Sequence, residues 1–417
     1  MVYTESSECM PKTVSDVDVS LPIPNEMDDY QWLTADVERI LCMEGGEGDV
    51  SYARNSEAPA SAIALSKPFL RRAIQFMPLF PSESSLRIAD LGCATGTNTI
   101  STTDFVVEKL KRKYQTNSLS FPEFEAFFSD LPSNDFNTLF RSLPPLKESV
   151  RRKNRATLKG KKRCYYAAGV PGSFYDRLFP RGKLHIVTSL SALHWMSQIP
   201  ESVVDKNSPA YNRGRAWIDG APKEVVEAYA RQSEEDLKSF LRCRAEEMAS
   251  GALLFLLLAG RPDSKQPQNQ LGDPVTRAKH PFTDCMDNAW NDLLNEGLID
   301  EETRDSFNIP AYMRSREEIR QAFDECKAFE VKCIEFRRLM EHSKIKQEQC
   351  LRDPFSYAKT KANLVRATMR PIILAHLRSS SLTDALFNRF EKRAAQDETL
   401  LDKICYYGII IVYAIRK

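Results

Sequence analysis

The 417-residue sequence lacks a dominant charge: 58 Lys and Arg stand against 57 Asp and Glu, leaving a net charge of +1. Such a chain sets up no global field for nucleic acid or for an anionic membrane surface. Long apolar runs are missing too. The longest late one, Tyr406-Tyr-Gly-Ile-Ile-Ile-Val-Tyr-Ala-Ile415, has about half of the ~20 residues a membrane span needs and reads as a buried strand. The cysteines, Cys9, Cys42, Cys93, Cys164, Cys243, Cys285, Cys326, Cys333, Cys350 and Cys405, include no CxxC pair. Their spacing fits neither a zinc site nor a disulfide framework, so reduced thiols in a cytoplasmic protein are expected. Residues 1–35 show no basic-then-apolar leader pattern and read as a flexible, proline-containing extension. Apolar residues at 42% and charged residues at 28% are ordinary globular values and exclude a disordered chain.

What is present is concentrated in Leu86-Arg-Ile-Ala-Asp-Leu-Gly-Cys-Ala-Thr-Gly-Thr-Asn-Thr-Ile100. Apolar residues lead to Asp90, Gly92 and Gly96 bracket a short loop, and apolar positions at helical spacing follow to Leu110. That is strand, tight turn, helix. In an open α/β sheet, ligands sit in the crevice beyond the carboxyl end of such a strand. No Lys-Ser/Thr follows the second glycine, which excludes a P-loop, and the third glycine of a dinucleotide fingerprint is absent. An acidic strand end with a short glycine loop suits a cationic, unphosphorylated nucleoside such as S-adenosylmethionine (SAM). The alternative is a tight turn with no ligand, and the motif alone leaves both open.

Strand patterns occur at Leu86–Leu91, Phe124–Phe128, Leu184–Ser189, Ala252–Leu258 and near Ile404–Ile415. Helical patterns lie at Ala60–Phe76, Thr99–Lys113, Asp135–Ser142, Val225–Ala249, Arg316–Lys327 and Ala362–Lys392. The alternation predicts an α/β fold with a doubly wound, mostly parallel sheet and an antiparallel last strand. Residues 36–260 and 355–417 are expected to form this core, with 261–354 as a mostly helical cap that excludes water from the site. The basic stretch Lys147–Arg163 has no interleaved aromatics and reads as a solvated loop.

Further segments carry a family likeness. They are Leu41-Cys-Met-Glu-Gly-Gly-Glu-Gly-Asp-Val-Ser-Tyr-Ala-Arg-Asn-Ser56, Ser129-Asp-Leu-Pro-Ser-Asn-Asp-Phe-Asn-Thr-Leu-Phe140, Gly169-Val-Pro-Gly-Ser-Phe-Tyr-Asp-Arg-Leu-Phe-Pro180, Leu193-His-Trp-Met-Ser-Gln-Ile-Pro200 and Asp305-Ser-Phe-Asn-Ile-Pro-Ala-Tyr312. With the glycine loop, they make the chain resemble the SABATH family of SAM-dependent methyltransferases from about Val37 to Lys417. The family acts mostly on carboxyl groups of small natural products, with an N-methylating branch. The resemblance implies a Rossmann-like class I methyltransferase fold, SAM as cofactor, a small carboxylic acid as substrate, and a homodimer.

It also implies site residues. For the cofactor these are Tyr52, Ser56, Asp90, Cys93, Asn98, Asp130, Leu131, Ser173, Phe174 and Leu190. For the substrate they are Met43, Pro59, Ser191, His194 and Trp195, with His194 and Trp195 orienting the acid. Pro59 stands where the family's carboxyl methyltransferases carry a glutamine, and proline offers neither a side-chain donor nor an N–H. Ser191 stands where an aromatic residue is often found. A magnesium position maps to Asn212, Asp305, the Phe307 carbonyl and Asn308; one carboxylate among neutral oxygens is a weak donor set, and a hydrogen-bonded turn is the alternative. An acid with a pKa near ~4 is already ionised at neutral pH, so the implied chemistry needs no general base. Methylation of a nitrogen or phenol is the second reading, and a cofactor-binding protein without catalysis is the third.

Overall fold

The computed structural model describes residues 37–147, 162–273, 275, 282–340, 344–397 and 406–417. The expected extension at 1–35 and most of the basic stretch, 148–161, lie outside the described residues.

One sheet organises the chain. Its strands are β1 (Ser85–Leu91), β2 (Glu123–Asp130), β3 (Tyr166–Pro171), β4 (Leu184–Leu190), β5 (Met248–Arg261), β6 (Arg314–Ser315), β7 (Phe329–Met340) and β8 (Tyr406–Arg416). The order is β3-β2-β1-β4-β5-β8-β7, with β6 paired to the end of β5. Strands β1 to β5 pair in parallel, and β8 runs antiparallel to both of its neighbours, as the sequence predicts. All seven residues of β4 are buried, the mark of a parallel strand covered on both faces. The order reverses direction at β1 and β4, so the crevice beyond their carboxyl ends is a topological switch point.

Three apolar clusters fill the molecule. On one face of the sheet, the helices Glu57–Phe76 and Thr97–Thr116 bury Leu70 and Val106 against Ile88, Ile186 and Phe255. On the other, Lys223–Glu247 and Arg316–Cys326 bury Phe240 and Phe323 against Val187 and Leu254. The third cluster is helical. It packs Trp217, Tyr229, Trp290, Ile373 and Leu386 above the carboxyl edge.

This arrangement corrects the expected division of the chain. The segment assigned to the cap after Arg314 contributes β6 and β7 to the sheet. β7 is an edge strand, and its Glu330, Lys332, Glu335 and Arg337 face solvent at the rim as edge charges do, which hides the strand pattern. Conversely, the helices Pro354–Leu377 and Ser380–Gln396, assigned to the core, pack on Phe282–Asn295 in the helical layer. The single helix expected at Ala362–Lys392 is two, broken where Arg378 takes a left-handed conformation with φ of 49°.

The loop after β3 has no secondary structure, and a buried ion pair fixes it. Arg244 and Glu247 are fully buried and contact at 2.8 Å. Arg244 donates to Phe174 O and Asp176 O, both at 2.8 Å, while Glu247 accepts the N–H groups of Leu178 and Phe179 at 2.6 and 3.1 Å. Removing one member of such a pair strands the other, so Arg244→Met is expected to lower stability by about 3–5 kcal/mol in a denaturant titration. A loss under ~0.5 kcal/mol, the range of an ordinary surface substitution, would show that the pair does not hold this loop.

Candidate active site

Backbone register brings the chemistry together. Asp90 pairs with Phe128 of β2 and Thr188 of β4, so the turns after β1, β2 and β4 open side by side. In the first of these turns Gly92 has φ of +78°, and a Cβ there would collide with Ala192. Ala94 and Ser191 are also left-handed, at 48° and 59°. Left-handed non-glycine residues in two adjoining turns, after β1 and after β4, are a feature of ligand sites. At Ala94 this backbone aims an N–H inward, donating to Asp130 Oδ2 at 2.7 Å, while Leu131 N donates to Oδ1 of the same carboxylate at 2.8 Å.

A cleft lies between these turns and the segment Glu38–Met43. Its walls include Tyr52, Gly92, Asp130, Leu131, Ser173, Phe174 and Ser191, together with Met43 and Trp195. Burial pushes the Asp130 carboxyl up to about 6, while its two backbone N–H partners pull it down. Glu38 was not foreseen from sequence. It lines the cleft and accepts a hydrogen bond from Ser173 Oγ.

Several expected cofactor residues stand behind this cleft rather than on its wall. Asp90 spends its oxygens on Thr99 Oγ1 and Thr188 Oγ1, at 2.5 and 2.6 Å, and burial raises it to about 6. Cys93 is buried, with its thiol held well above its ordinary value. Asn98 and Ser56 hydrogen-bond each other at 3.2 Å. Leu190 is packed into the sheet-face core. These residues shape the turns from beneath.

A second cavity of about 280 Å³ adjoins the cleft. Of the expected substrate residues, Pro59, His194 and Trp195 line it, and Met43 and Ser191 do not. Those two face the cleft instead, because Ser191 is the last left-handed step out of β4 and Met43 belongs to the segment that roofs the cleft. The rest of the cavity is unforeseen. It comes from Trp217, Ile309 and Met313, and from a helical stripe of Lys361, Leu364, Val365, Thr368 and Met369. The spacing of that stripe was visible, but an apolar stripe equally describes a core helix.

Trp195 borders both spaces. Its neighbour His194 has a buried Nδ1 with no hydrogen-bond partner among the described residues. Burial, and then the Arg314 guanidinium, hold the imidazole down at about 4, so it is neutral at physiological pH.

The implied magnesium residues are brought together, but they do not form a cation site. Asn212 Nδ2 donates to Asn308 Oδ1 at 2.7 Å, and Asp305 accepts Gly214 N at 2.9 Å and Tyr211 OH at 3.3 Å. Arg213 lies 3.9 Å from the same carboxylate. With its one carboxylate so engaged, the set is a hydrogen-bonded turn and does not fit magnesium. Among the described residues, no group of His, Cys, Asp and Glu could hold a metal ion. None of the described helices is long and apolar enough to cross a membrane.

A family model described as SAM dependent carboxyl methyltransferase matches residues 38–417. The chain belongs to this family. It is 50% identical to gibberellic acid methyltransferase 2 of Arabidopsis thaliana, over 92% of this chain and 97% of that one. It is 39% identical to indole-3-acetate O-methyltransferase 1 of the same plant, over 86% and 90% of the two chains. Among solved structures, a loganic acid methyltransferase with S-adenosylhomocysteine (SAH) superposes with a TM-score of 0.76 at 32% identity, covering 90% of this chain and 98% of that one. The fold and the SAM dependence expected from sequence are thereby established, and so is the carboxyl methyltransferase family.

The turn geometry makes a sharp prediction for this family member. Gly92→Ala adds a Cβ against Ala192 on backbone that L-residues avoid. It is expected to reduce stability by about 1–3 kcal/mol and to weaken SAH binding measured by calorimetry. Unchanged SAH affinity would mean that the cofactor does not approach this turn.

Proposed function

We propose that the chain transfers the methyl group of SAM to the carboxylate of a polycyclic acid of the gibberellin class, giving the methyl ester. The observation that carries the reading is Trp195, the shared wall between a cleft at the strand ends that holds the carboxylates of Asp130 and Glu38 and a larger, mostly apolar cavity. The two 50% identical relatives, both named gibberellic acid methyltransferases, support the choice of acid.

In this reading Asp130 accepts the ribose hydroxyls, Leu131 and Phe174 enclose the adenine, Ser173 borders it, and Tyr52 closes on the methionine end. When bound, SAM supplies an electrophilic methyl group on a sulfonium. A carboxylate oxygen forms the new bond, the methyl–sulfur bond breaks, and its electron pair stays on sulfur. No proton moves. His194 and Trp195 offer neutral N–H donors that orient one carboxylate oxygen without drawing away its charge. Alignment of this kind supplies roughly 7–11 kcal/mol of the barrier. A phenol or nitrogen substrate would call for a base, and an imidazole held at about 4 is a poor one.

Gibberellic acid, indole-3-acetic acid and benzoic acid, each supplied with SAM, test the substrate. Ester formation followed by mass spectrometry is expected to give gibberellic acid a kcat/KM at least ~10-fold above benzoic acid, because the smaller acid leaves apolar wall unpaired. The rate should be flat from about pH 6 to 8, since the substrate is ionised throughout. A rate climbing with an apparent pKa near 7 or above would replace the carboxylate by another nucleophile.

Asp130→Ala should weaken SAH by at least ~10-fold with the fold intact, as charge-assisted hydrogen bonds are lost. In the parent protein, SAH affinity should fall as pH drops through about 6, where the Asp130 carboxyl takes up its proton. Equal affinities of variant and parent would remove Asp130 from the cofactor site.

A further inference from the structure

Arg314 is a buried cation without a counterion beside it. Its side chain is 2% exposed, yet it makes no ion pair among the described residues. Its partners are neutral oxygens. Nη2 and Nε donate to Ser233 O at 2.8 and 3.3 Å, and Nη1 donates to Leu193 O. Tyr175 OH lies within hydrogen-bond reach of the same guanidinium and itself donates to Trp195 O at 2.5 Å. Arg314 therefore grips the chain on both sides of His194. The nearby carboxylate Asp236 is occupied elsewhere, by Ser197 N at 2.9 Å, Ser197 Oγ at 2.6 Å and Gln232 Nε2 at 3.0 Å.

A buried ion with only neutral partners is costly, and the fold would usually be served as well by an apolar side chain. A role in binding accounts for its presence. We propose that Arg314 is the positioning residue that selects an anionic substrate: it fixes the Leu193–Trp195 turn and supplies the positive potential that draws a carboxylate to His194 and Trp195. The inference rests on the acid binding at that wall. It replaces the missing donor at Pro59 with a charge that acts from beneath, through a low-dielectric layer where screening is weak. The guanidinium spends its N–H groups on carbonyls, so none of them hydrogen-bonds the attacking oxygen. The same charge helps release product. The ester is neutral and is no longer attracted.

The separation of charge from shape can be measured. Gibberellic acid and its methyl ester are titrated into the SAH complex of the parent, Arg314→Met and Arg314→Lys, with thermal melting as a check on folding. The expected result is that Arg314→Met weakens the acid by tenfold or more and the ester by less than twofold. Arg314→Lys, which keeps the charge but loses the fork, should recover most of the affinity for the acid. In turnover, Arg314→Met should raise KM much more than it lowers kcat. Equal weakening of acid and ester, or no weakening of either, would overturn the proposal and leave Arg314 a structural residue. If the parent itself neither binds nor methylates the acid, the reading of the substrate has failed, and the same titrations with indole-3-acetic acid and its methyl ester then decide the role of Arg314.

Discussion

The loops at the carboxyl edge of the sheet must hold one shape without helices or strands of their own, and buried guanidinium groups meet that demand. Arg244 holds the loop after β3, Arg314 the turn after β4, Arg304 the carbonyl of Gly214, and Arg261 the carbonyl of Met313. Each is 3% exposed or less, so the loops above them are clamped from within. A guanidinium offers five donors in a rigid plane and can hold several carbonyls at once. A lysine could not. The site is thus a set of irregular segments given the rigidity of a core, which near-attack alignment requires.

Charge follows the same plan. On the cofactor side the cleft is acidic: Asp130 lines it, Asp90 stands behind its first turn and Glu38 forms part of its rim. Beside the cavity, burial and then the Arg314 guanidinium hold the His194 imidazole down. A sulfonium and a carboxylate, brought to the two sides of Trp195, would each meet the opposite sign. The reaction cancels both charges, so products leave a site that was built to hold ions.

Much of this was legible in the sequence, and the failures have physical causes. β1, β2, β4, β5 and β8 were readable because strands inside the sheet, parallel or in the case of β8 antiparallel, are rich in buried apolar residues. β3 was not: only six residues long, it ends in Gly-Val-Pro and lies mostly exposed or half-exposed at the sheet edge. β7 was hidden by its edge charges. The motif residues Asp130, Phe174, His194 and Trp195 all line one of the two spaces, because turn chemistry is local. The cavity wall was missed because Trp217 and the Lys361–Met369 stripe reach the site only through packing between helices distant in sequence. Met43 and Ser191, expected together with Pro59 and His194, line the cleft instead of the cavity, since sequence order does not show which side of a tryptophan a residue faces.

The position of β8 has a consequence for how the enzyme comes into being. This last strand lies inside the sheet, between β5 and β7, and its first residues, Tyr406 and Tyr407, line the cavity. Tyr407 OH also donates to Ala58 O at 3.1 Å, next to Pro59. The cavity wall is therefore closed by a contact between residues 349 apart in the chain. A chain that has formed β5 without β8 still lacks one side of this cavity and leaves β5 with an open apolar edge, and such an edge invites aggregation. Shortening the carboxyl end by even a dozen residues would remove a central plank of the sheet and the door of the chamber together.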